Sequence, residues 1–121
     1  MARVLVISER NSISGFVRTV LENAGHVVTV APTALEGWHL LREGGVQIIL
    51  ADLHLPQCKD PHVIAAWRQR FQAVKVITVS DRSITADFLT LRLMGADDVL
   101  QMPLRSDELL LAVQTALKEE S

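Results

Sequence analysis

The chain has 121 residues, 49% of them apolar and 21% charged, which is the balance of one packed globular domain. Twelve basic residues against fourteen acidic ones leave a net charge of −2, which argues against a duplex nucleic acid as the main partner, because that needs a basic stripe. No apolar run approaches the roughly 20 residues of a membrane span, Met1-Ala2-Arg3-Val4 lacks the features of a signal peptide, and the lone Cys58 rules out a disulfide framework. A cytoplasmic domain without nucleic-acid or membrane binding is the expectation.

Short β-branched runs alternate with helical patterns along the chain. Val4-Leu5-Val6-Ile7 suits a strand buried on both faces. Ile13, Phe16, Val17, Val20, Leu21 and Ala24 then fall at helical spacing, with Gly25 as the stop. Val27 to Val30 is a second strand. Thr33 followed by Glu36 predicts a capping box, opening a helix to Gly44. Val46 to Ala51 is the third strand, ending at Asp52. Asp60-Pro61 supplies an N-cap and a first-turn proline for a helix to about Phe71, with Val63, Ile64, Trp67 and Phe71 inward. Val74 to Val79 is the fourth strand, Ser83 an N-cap for a helix ending near Met94-Gly95, and Asp98 to Gln101 a short fifth strand. Ser106, Asp107 and Glu108 open the last helix, which buries Leu109, Leu110, Val113, Ala116 and Leu117.

Five β–α repeats imply a doubly wound parallel sheet with helices on both faces, an α/β class in which ligands sit beyond the carboxyl ends of the strands. Ser8-Glu9-Arg10, Asp52 to Lys59, Ser80-Asp81-Arg82 and Met102-Pro103 therefore belong to one rim. Glu9 and Asp52 are expected to meet there, and two close carboxylates call for a hard cation such as magnesium. Ser80 would add a hydroxyl.

These blocks resemble those of response-regulator receiver domains. The similarity lies in Val4 to Glu9, Ile48 to Pro56, Val76 to Ser80 and Gly95 to Pro103, in order along essentially the whole chain. It implies a flavodoxin-like (βα)5 fold with strand order 2-1-3-4-5. It also implies a phosphorelay function, in which a histidine kinase or phosphotransfer protein passes a phosphoryl group to Asp52. Magnesium would be held by Glu9, Asp52 and the backbone carbonyl of His54, and Ser80 would sense the phosphoryl oxygens. Output would pass to a protein partner, or to a second copy, through the surface of the fourth helix, fifth strand and fifth helix.

Three positions depart from the family. Ser8 stands for the first of two acids, Met102 for the lysine before the proline, and Val99 for the switch aromatic. The lost acid and lysine cancel in charge, but no ammonium remains to pair with phosphoryl oxygens, and a thioether is only a weak acceptor. Arg10 and Arg82 are the cations whose loops could replace it. Weak magnesium binding is expected, together with a cis bond at Met102-Pro103. The departures also open an alternative, a pseudo-receiver that acts as a phosphorylation-independent interaction module.

Other chemistries lack their motifs. His54, Cys58 and His62 do not make the four-ligand set of a structural zinc site. Ser8 to Ser12 contains no glycine to cradle a nucleotide phosphate, so an enzyme on this fold has no cofactor loop. In the fourth helix Ile84, Phe88 and Leu91 form the inward stripe, whereas Leu89 and Leu93 fall on nearly the opposite side. That predicts an exposed apolar patch for self-association or docking. With Lys118 to Ser121 following the last helix, the chain is expected to be one receiver-like domain over 1–121, either complete or cut at a domain boundary.

Overall fold

In the computed structural model, residues 1–58, 60, 62–81 and 88–118 are described. They form β1 (Arg3–Ile7), α1 (Asn11–Asn23), β2 (Val27–Ala31), α2 (Ala34–Glu43), β3 (Ile48–Asp52), α3 (His62–Arg70), β4 (Lys75–Ser80), α4 (Phe88–Leu93), β5 (Asp98–Gln101) and α5 (Ser106–Lys118). The five strands are parallel, in the order β2-β1-β3-β4-β5.

Strand alternation sorts the side chains into two cores. Val4, Val6, Ile48, Leu50, Ile77 and Val79 face α1 and α5, where they meet Ile13, Val17, Leu21, Leu109 and Val113. Leu5, Ile7, Ile49, Ala51 and Val76 face the other way, against Leu41 of α2, Ile64 and Trp67 of α3 and Leu91 of α4. Every residue of β3 is buried, so its unbroken apolar run is what a central parallel strand requires.

Three of the helix-end signals act as read, the capping box through its Thr33 half. The Thr33 hydroxyl accepts from the Glu36 N–H at 3.2 Å, and Asp60 accepts from the His62 N–H at 3.0 Å. After α1, Gly25 takes φ +91° while the His26 N–H donates to the Leu21 carbonyl and that of Gly25 to Glu22, which closes the helix as a Schellman motif. Pro61, Arg82, Ser83 and Ile84 lie outside the described residues, as does the side chain of Phe88, so the predicted roles of these residues carry no structural account.

Three strand ends extend toward the rim, Ala31 being the last residue of β2. Asp52 and Ser80, read as following their strands, are the last residues of β3 and β4, in register with Val79 and Gln101 respectively. One turn of 3-10 helix, Pro56–Cys58, follows β3 where the sequence pattern carries no helical period. Around it Leu53, Leu55 and Cys58 enter the core, so the segment after Asp52 is anchored rather than loose. The Met102-Pro103 bond is cis.

Candidate functional site

The site begins with strand parity. Val4 pairs with Ile48 and Val6 with Leu50, so one more step of the same register sets Ser8 beside Asp52. Ser8 is 2% exposed and Asp52 fully buried. The Ser8 hydroxyl donates to Asp52 Oδ2 at 2.7 Å and accepts the Arg10 N–H at 3.1 Å. That second bond bends the chain after β1 and brings the Arg10 side chain back over the rim.

Arg10 then grips Asp52 with two prongs. Its Nε donates to Oδ2 at 2.9 Å and its Nη2 to Oδ1 at 2.7 Å. The third nitrogen, Nη1, lies 3.5 Å from Oδ2 of Asp81, just past β4. The His54 N–H completes the set by donating to Asp52 Oδ1 at 3.0 Å. Burial by itself would raise the Asp52 carboxyl, but the hydrogen bonds from Arg10, Ser8 and His54 and the guanidinium charge outweigh it and hold the group below its ordinary range. The same hydrogen bond from the guanidinium, working against the desolvation of Arg10, pushes Arg10 above its usual value. Asp52 is thus an ionised carboxylate with its charge already matched.

The other predicted residues fall into three groups. Ser80 is buried one position beyond Asp52's register partner, and its hydroxyl has no hydrogen-bond partner among the described residues, a state it shares with Thr78 Oγ1 and Trp67 Nε1. Glu9 is exposed and makes no hydrogen bond or ion pair with the described residues; the side chains that its loop lays on Asp52 are those on either side of it, Ser8 and Arg10. The His54 side chain is exposed as well, so this residue reaches Asp52 through its backbone. Met102 packs against the α1–α5 core and Val99 against the opposite one. Met102 also lines a cavity of about 200 Å³ with Ser12, Ile13, Phe16, Pro103 and Leu104.

Magnesium can be tested against these groups. Each Asp52 oxygen already accepts two hydrogen bonds, and a carboxylate offers about four lone-pair sites in all. Among the described residues, no three His, Cys, Asp or Glu side chains gather closely enough to hold an ion. In this arrangement the residues do not fit a divalent cation at Asp52, because a guanidinium stands in its place.

Sequence reasoning named Arg10 as one of two cations within reach, but not its geometry. The signal was the two-residue period running through Val4, Val6 and Ser8, which aims Ser8 rather than Glu9 along Asp52's side of the sheet. Cys58 is buried, and burial pushes its thiol up to about 12, so it is a core side chain. Leu89 and Leu93 are exposed, as their helical phase predicts, and so are Leu111 of α5 and Leu35 of α2. Among the described residues no helix is long and apolar enough to cross a membrane.

Comparison with known proteins agrees with this architecture. Residues 4–114 match the model of the response regulator receiver domain. The KDP operon transcriptional regulatory protein KdpE of Escherichia coli K12 is 34% identical over 121 residues, covering 100% of this chain and 53% of the relative. The uncharacterized transcriptional regulatory protein YkoG of Bacillus subtilis is 28% identical over 116 residues, covering 96% of this chain and 51% of the relative. This chain therefore spans about half the length of the curated relatives it matches. Among solved structures, the beryllofluoride-activated NtrC4 receiver domain dimer superimposes with a TM-score of 0.91 at 24% identity, covering 100% of both chains.

Proposed function

The chain belongs to the response-regulator receiver domain family, and we propose that it acts in the cytoplasm as one receiver domain, accepting a phosphoryl group on Asp52 from a histidine kinase or phosphotransfer protein and signalling by protein contact. The observation that carries this reading is the place of Asp52: a buried, ionised carboxylate at the carboxyl end of the middle strand, one register step from Ser80, whose hydroxyl has no hydrogen-bond partner among the described residues.

In the transfer one Asp52 oxygen forms the new bond to phosphorus. The bond from phosphorus to the donor nitrogen breaks, and its electron pair leaves with the imidazole. The attacking oxygen must first shed part of its hydrogen-bond set, so loosening Arg10 belongs to the barrier. The acyl phosphate that results adds negative charge and acceptor oxygens. Arg10 can then turn from carboxylate to phosphoryl oxygens, a cation role that Met102 does not fill, and Ser80 can donate its free hydroxyl. Output falls to the exposed leucines of α4 and α5, which suit an apolar contact with a second copy of the chain or with a downstream protein.

The two-pronged ion pair favours one other reading, a receiver fold that works through contacts without being phosphorylated. Acetyl phosphate and intact-mass measurement separate the two. The proposal expects a mass gain of one phosphoryl group in the wild type and none in Asp52→Asn. No gain in either chain supports the contact-only module.

A further inference from the structure

Two neighbouring strands deliver carboxylates to this rim, Asp52 from β3 and Asp81 directly after β4, and one guanidinium touches both. The fit is specific to arginine. Its Nε and Nη2 match the two oxygens of a single carboxylate, which leaves Nη1 to reach toward the second. The Arg10 side chain is 24% exposed and that of Asp52 is 1% exposed, so the pair lies at the mouth of the site with its anionic end sealed. Ser8 and the His54 N–H take the remaining acceptor positions on Asp52. Repulsion between carboxylates, which a metal ion would otherwise relieve, is relieved here by the chain itself.

We propose that Arg10 is the resident cation of this site, seated where a divalent metal ion would bind Asp52, so that arginine and metal compete for one carboxylate. A magnesium ion needs near-octahedral oxygen ligands. To gain even one from Asp52 it must displace one of the four hydrogen bonds that Arg10, Ser8 and His54 make there, and it then lies against the positive charge of the guanidinium. Removing the guanidinium takes away one hydrogen bond from each Asp52 oxygen, together with the competing positive charge. The inference shares Asp52 with the proposed function, but it concerns metal binding and does not depend on phosphoryl transfer.

The test is a magnesium titration of the full chain by calorimetry, with manganese broadening of the Leu53 and His54 amide signals to locate the ion. Arg10→Gln is expected to bind magnesium at least tenfold more tightly than the wild type, and adding Asp52→Asn is expected to abolish the gain. Equal affinity in the wild type and Arg10→Gln overturns the proposal, as does binding by neither. Should Arg10→Gln fail to fold, the wild type serves instead: the Arg10 Nε–H signal is expected to move as magnesium saturates the Asp52 site, and saturation with that signal unmoved overturns the idea. Equal metal affinities would leave phosphoryl labelling of Asp52 standing, and absent labelling would leave a tenfold gain standing.

Discussion

Arg10 and Asp52, 42 positions apart in sequence, form a two-pronged ion pair of 2.7 and 2.9 Å at the rim of the sheet. One partner is sealed and the other only partly exposed, so the pair belongs with buried salt bridges, where removal of a single partner strands a charge. Arg10→Ala is expected to destabilise the fold by about 3 kcal/mol. Adding Asp52→Ala should recover part of that loss, with a coupling of about 1–3 kcal/mol in a double-mutant cycle. Urea unfolding of the four chains measures it, and additive losses would show that the two side chains are not coupled.

The lowered Asp52 carboxyl fixes the sign of one pH effect. Its folded-state value lies below the ordinary 3.8, so the unfolded chain takes up the proton first as the solution is acidified. The stabilisation is complete above 3.8 and is lost as pH falls through the lower native value. Asp52→Asn removes the group, and its stability should fall less steeply over that window than the wild type's. Parallel curves in acid denaturation would contradict the assignment.

Cys58 is fully buried and its thiol is pushed up to about 12. Iodoacetamide should therefore leave it unmodified in the native protein at neutral pH and alkylate it readily in urea. Rapid native labelling would mean that the turn at Pro56–Cys58 opens easily.

Leu89 and Leu93 are 61% and 77% exposed. Leu89→Glu with Leu93→Glu should leave the unfolding transition intact, because neither side chain supports the core. The same pair of changes should abolish concentration-dependent self-association in sedimentation. An unchanged sedimentation profile would remove this face from the proposed contact surface.

The architecture was largely legible because its signals are periodic. Unbroken runs such as Ile48 to Ala51 mark central parallel strands, while Gly25 and Thr33 mark helix ends through backbone requirements of their own. The position of Asp52 followed from strand topology. Its contacts were harder to read, because at a strand end one step of parity decides which side chain faces the neighbour. That step gives Ser8 to Asp52, and the Ser8 hydroxyl then steers Arg10 back over the rim. Topology brings Glu9 and Asp52 to one rim but does not say which way the Glu9 side chain points. The Pro56–Cys58 turn leaves no signal in the sequence because Leu53, Leu55 and Cys58 are too few to show a period, although each is buried.

The most direct test of the account asks where the phosphoryl group sits. After exposure to acetyl phosphate, borohydride reduces an aspartyl phosphate to homoserine, and fragment masses then locate the altered residue. The account predicts homoserine at position 52 in the wild type, with no such conversion in Asp52→Asn. Conversion at another aspartate, or an unaltered chain under conditions that modify a control receiver domain, would contradict it.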